Sequence, residues 1–92
     1  MSDGLMRAVW LVLAALSLLR QQAKSPRIVA ATDQARAAVA ELPTDLMSHA
    51  LTLVVDAIEQ CHYEGVMSSP GLENRWTATL IMLRLATVHE AG

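Results

Sequence analysis

The chain is predicted to be all-α, one compact four-helix domain with helices at about 4–23, 26–41, 44–64 and 70–89, and three observations carry that expectation. Pro26, Pro43 and Pro70 cut the sequence into four stretches, and each sits where a helix can begin. Proline suits a first helical turn because the N–H it lacks would have no intrahelical partner there, and its fixed φ is already helical. Ala and Leu, both strong helix formers, dominate the apolar residues; there is no Phe, and the only aromatics are Trp10, Tyr63 and Trp76. No stretch alternates apolar and polar residues over a useful length, so a sheet is not expected.

With 92 residues the chain makes a single helical domain, 1–92. A domain of that size buries only a little over ~60% of its unfolded surface. Yet 53% of the residues are hydrophobic and 17% are charged. That surplus implies apolar surface covered by a second chain, because contiguous exposed apolar patches mark interaction sites.

The first helix contains the run AVWLVLAALSLL at 8–19, between Arg7 and Arg20. It falls short of the ~20 residues that span a bilayer. A signal-peptide core can have this length, but Asp3 lies beside Arg7 and no small-x-small cleavage site follows, so a buried or interface helix is expected. Leu5, Val9, Val12, Leu16 and Leu19 follow one 4-3-4-3 seam, and Met6, Trp10 and Leu13 form a second.

Ser25 is expected to cap the second helix, with Pro26 at its first position. Ile28, Ala31, Ala35, Ala38 and Leu42 make its apolar stripe, and the residue before Pro43 should end it. The third helix should open with Thr44 or Asp45 as cap and stop at Gly65. Its seam is Met47, Ala50, Val54, Ala57 or Ile58, and Cys61, widened by Leu46, Leu51, Leu53 and Val55. In the fourth, Ser69 should cap and Pro70 lead. Leu72, Trp76, Leu80 and Leu83 define one seam; Ala78, Ile81, Leu85 and Val88 define another. Like the first helix, it holds more apolar surface than a lone domain hides.

Residues that carry chemistry are sparse. Cys61 and His62 are neighbours, so on a helix they point about 100° apart, and a zinc site would need further ligands. His49 is over two turns back and His89 belongs to another helix. His49 and Asp56 share a strip but stand ~10 Å apart along the axis. Ser68-Ser69-Pro70-Gly71 lacks the glycines and lysine of a phosphate loop. Accordingly no catalytic, cofactor-binding or metal-binding residue is assigned, and no cofactor is expected. Net charge is −2, with no basic run, so no nucleic-acid partner is expected. A single cysteine permits no internal disulfide and fits a reducing, cytoplasmic setting.

Tryptophan is enriched at interface hot spots, which draws attention to Trp10 and Trp76. The expected partner-binding residues are Met6, Trp10, Leu13, Trp76, Ile81 and Leu85. They describe a small non-catalytic interaction module, an adaptor, chaperone-like protein or inhibitory regulator, bound to a protein partner, to itself as a homodimer, or to both. No membrane span is expected. One alternative is a small dimeric helical-bundle enzyme in which several of Arg7, Arg20, Arg27, Arg36, Arg75 and Arg84 converge in a pocket, although their spacing differs from the pattern of the dimeric chorismate mutases. A second alternative comes from Leu42-Pro43-Thr44-Asp45-Leu46 followed by Asp56-Ala57-Ile58, which loosely resembles a stretch of the TraM-type anti-activators, with different internal spacing. Those are small helical proteins that sequester quorum-sensing transcription factors. The resemblance covers a small part of the chain and implies only that a sequestering role is open to it.

Overall fold

Each of the four proline-bounded stretches closes into a helix. The computed structural model describes residues 3–91, with side chains described for 3–88. The helices are α1 (Asp3–Arg20), α2 (Ser25–Ala40), α3 (Leu46–Glu64) and α4 (Pro70–Ala91), and no strand occurs among the described residues.

Local chemistry sets the ends. α1 stops short of the expected 23 because Gln22 takes a left-handed φ of 55°. The Gln22 N–H then donates to the Leu19 carbonyl at 3.1 Å and the Ala23 N–H to the Leu18 carbonyl at 3.0 Å, closing a Schellman turn. α2 corrects the expected cap. Its N-cap is Lys24, with no side-chain cap bond, and Ser25 is already helical. The Lys24 carbonyl accepts the first bonds, from Arg27 and Ile28 at 3.0 and 3.3 Å, so the turn begins one residue early with Pro26 still inside it. α3 opens on a capping box: Asp45 Oδ1 accepts from the Ser48 N–H at 2.9 Å, and Ser48 Oγ accepts from the Asp45 N–H at 3.0 Å. It closes at Gly65, whose φ of 75° suits a residue without Cβ. For α4, Ser69 Oγ accepts from the Leu72 N–H at 3.2 Å, the expected cap.

α1, α2 and α3 pack on one another, and α4 lies against α3 alone of the other helices. The core seams differ from the largest-hydrophobe pattern. On α1 the deepest residues are Ala8, Val12, Ala15, Leu16 and Leu19, while Leu5 and Val9 are half-buried. Alanines at that contact let α1 approach its neighbours closely, which pushes the bulkier Leu5 and Val9 to the margin. On α2, Thr32 and Val39 are buried while Ala31 and Leu42 are half-buried; the Thr32 hydroxyl donates back to the Ile28 and Val29 carbonyls at 3.0 Å, leaving its methyl to the core. On α3, Leu51, Val54, Val55 and Ile58 are fully enclosed, whereas Leu46 stands in solvent. Leu72 and Trp76 tie α4 to this core.

Asp45→Ala is expected to lower the unfolding free energy by about 1 kcal/mol through loss of the cap. Leu51→Ala, which empties a fully enclosed site, is expected to cost about 2–5 kcal/mol. Urea melts followed by circular dichroism would rank the two; equal effects would contradict the central place of Leu51.

Candidate functional site

The fourth helix is apolar on two faces, and only one is covered. Leu72, Trp76, Thr79 and Leu83 recur at helical spacing and are buried. Thr79 takes the place the sequence pattern gives to Leu80. Its hydroxyl donates to the Arg75 carbonyl at 2.9 Å, so nothing polar is left unpaired in the contact. Leu80 is turned out and is 45% exposed, and Ile81, Leu85 and Val88 are more exposed still. The sequence alone could not separate core from interface among these leucines. The usable signal was the Thr79 position, which completes a 4-3-4 spacing with Leu72, Trp76 and Leu83.

An ion pair links α4 to α1. Arg20 Nη2 donates to Glu73 Oε1 at 2.9 Å. On α1, Leu13 and Val9 lie two and three turns back from Arg20 on the same side. On α4, Thr77, Leu80 and Arg84 follow Glu73 at the same kind of spacing. Leu13 and Val9 are half-buried against the core. Beyond the ion pair the α1 and α4 backbones do not pack together. About 590 Å³ of open space lies over Thr77, Leu80, Ile81, Arg84 and Leu85. Met6 and Trp10 project on the outer side of α1, and Trp10 is 65% exposed.

Of the residues expected to bind a partner, Met6, Trp10, Ile81 and Leu85 are exposed and Leu13 is half-buried. Trp76 is 8% exposed and belongs to the core, where it holds α4 in place from beneath.

A second cleft, of about 740 Å³, runs between α2 and α3. Ile28, Val29 and Thr32 line it together with Asp33, Asp56, Glu59 and Tyr63. At its edge Arg36 donates to Asp56 Oδ1 at 2.8 Å and pairs with Glu59 Oε1 at 3.0 Å. The Arg36 pKa is raised by the hydrogen bond to Glu59 and then by that to Asp56, so the cation persists across any working pH. Sequence reasoning did not foresee this cluster, because Arg36 lies on a different helix from both acids.

The other sequence candidates scatter. Cys61 is buried, and its thiol meets Ser69 Oγ at 3.5 Å. Among the described residues no group of three or more His, Cys, Asp or Glu is placed to hold a metal ion; the His89 side chain lies outside them. Three of the arginines have separate partners: Arg20 is with Glu73, Arg36 with Asp56 and Glu59, and Arg75 donates to the Leu53 carbonyl at 3.5 Å. In the stretch resembling the anti-activators, Asp45 is a cap, Asp56 an ion-pair partner, and Ala57 and Ile58 core residues. No described helix is long and apolar enough to cross a membrane. The chain matches no protein-family model, no curated protein and no solved structure.

The two tryptophans should report these environments separately. Trp10→Phe, which leaves Trp76, is expected to give blue-shifted emission that resists acrylamide quenching. Trp76→Phe, which leaves Trp10, should give red-shifted emission that quenches readily.

Proposed function

We propose that this chain is a protein-interaction module that works by docking apolar helix faces, without catalysis. The observation that carries the reading is the outer face of α4: Leu80, Ile81, Leu85 and Val88 stay open to solvent although the opposite side of the same helix is buried. An apolar stripe at i, i+4 and i+7 is the form in which helices dock on other helices. Met6 and Trp10 add a second apolar strip on α1. The partner is another protein, a second copy of the chain, or each in turn, and the role is that of an adaptor, a chaperone-like binder or an inhibitory regulator. The single free thiol, buried at Cys61, agrees with a reducing cytoplasmic setting.

Affinity capture from native lysate tests the reading. Wild type is compared with Trp10→Ala and with Leu80→Asp, each checked for unchanged helical circular dichroism. Loss of specific bound proteins in either variant is the expected result. Identical captured sets for all three, or empty sets from a chain that also stays monomeric by sedimentation at high concentration, would sink the docking role.

A further inference from the structure

We propose that the cleft between α2 and α3 is a docking trough for a basic segment of a partner protein, one in which an aliphatic residue adjoins an arginine or lysine. This goes beyond the α4 reading above and stands on different residues.

Charge complementarity selects the occupant. Asp33, Asp56 and Glu59 line the trough, and one cation meets them: Arg36, bound to Asp56 at 2.8 Å and to Glu59 at 3.0 Å. The Asp33 carboxylate is exposed and has no ion-pair or hydrogen-bond partner among the described residues. A single guanidinium therefore faces three carboxylates, and the trough keeps an excess of negative charge. The other cations of this region do not cancel it. Arg27 is two positions from Val29, ~200° round α2, and so faces away; Lys24 stands over two turns from Asp33.

The acidic part of the trough adjoins an apolar part. Ile28 lies beneath it at 2% exposed, while Val29 and Tyr63 are 49% and 89% exposed. Ile28 and His62 also border a smaller cleft, of about 300 Å³, that Val66 and Met67 help to line. An aliphatic side chain seated on Val29 would put its neighbours within reach of Asp33, about one helical turn along. Tyr63 follows Glu59 by four positions and shares its side of α3, so its ring can offer a face to the incoming cation.

Shape favours a chain segment over a small molecule. Small-molecule sites enclose most of their ligand. Here Val29 and Tyr63 stand in solvent, and the trough is open along its length. From Ser25 to Asp33 α2 rises ~12 Å, the reach of about four extended residues. The charges are exposed, so the binding is weak and falls as salt rises.

Amide NMR of the isotope-labelled full chain tests the proposal, by titration with a capped peptide of about six residues in which leucine and arginine alternate. Saturable shifts centred on Val29, Asp33, Glu59 and Tyr63 are expected, and none with the glutamate version of the peptide. Asp33→Asn should weaken binding about 2–5-fold. Glu41→Gln removes the same charge from an exposed position outside the trough and should leave the affinity unchanged, as should Leu80→Ser on α4. The proposal is overturned by no saturation below about 1 mM peptide, or by Glu41→Gln weakening binding as much as Asp33→Asn, which would mean diffuse attraction only. Equal binding of arginine amide alone would overturn it too, by making the occupant a small cation. Shifts centred on α4, or lost in Leu80→Ser, would move the peptide to the other surface and overturn the trough while the α4 reading stands.

Discussion

The enclosure of α3 is the constraint from which the rest of the molecule follows. Leu51, Val54, Val55 and Ile58 have no exposure, and α1, α2 and α4 all pack on this one helix. A helix surrounded on that many sides must be apolar over a wide arc. Asp45 and Ser48 satisfy orphan N–H groups at its start, and Gly65 lets the chain turn away at its end. On the side of α3 toward α2, Asp56 and Glu59 reach Arg36.

α4 inherits its character from that arrangement. It packs on α3 and is linked to α1 by an ion pair between half-exposed side chains, a type worth about 0–1 kcal/mol. Its hold on the domain is therefore the buried stripe led by Leu72 and Trp76. Ser69 lies opposite Cys61, so α4 starts before α3 has ended, and the longer helix runs roughly two turns past the beginning of α3. Leu85 and Val88 occur in that overhang on the side turned away from the buried stripe, so their exposure follows from the face they occupy.

Much of this was legible in the sequence. Pro26, Pro43 and Pro70 marked the breaks, Ser69, Asp45 and Gly65 marked helix ends, and the double apolar character of α4 was visible from Ile81, Leu85 and Val88. What the sequence hid was the rotation of each helix about its axis. Apolar spacing put Leu5 and Val9 on one seam with Val12, Leu16 and Leu19 and left Leu80 open between core and interface, whereas the small residues Ala8, Ala15 and Thr79 are the fully buried ones. Threonine is easily misjudged because its hydroxyl can be satisfied within its own helix, as at Thr32 and Thr79. Gln22 offered no sign of a left-handed turn, since that conformation is ordinarily glycine's. The Arg36 cluster was hidden for a different reason: it joins positions on separate helices, and only the packing of α2 on α3 brings them together.

The two sides of the domain differ in what is left unsatisfied, and that difference bears on what each of them can bind. Along the α2–α3 cleft the polar groups largely have partners, with Arg36 bound to two carboxylates and Gln60 donating to Glu64 at 2.7 Å. Water can serve the remainder at little cost, since these groups are exposed. On the outer face of α4 the exposed Leu80, Ile81, Leu85 and Val88 are apolar, and water is a poor partner for them. Burial of a leucine-sized side chain is worth about 1.5–3 kcal/mol, so the outer faces of α1 and α4 hold a driving force that the isolated chain does not use. A chain whose only task was to fold could replace Ile81 or Leu85 with a charged residue without losing a core contact, because both lie outside the core cluster. Their exposure as large hydrophobes is the observation on which the proposed docking role rests.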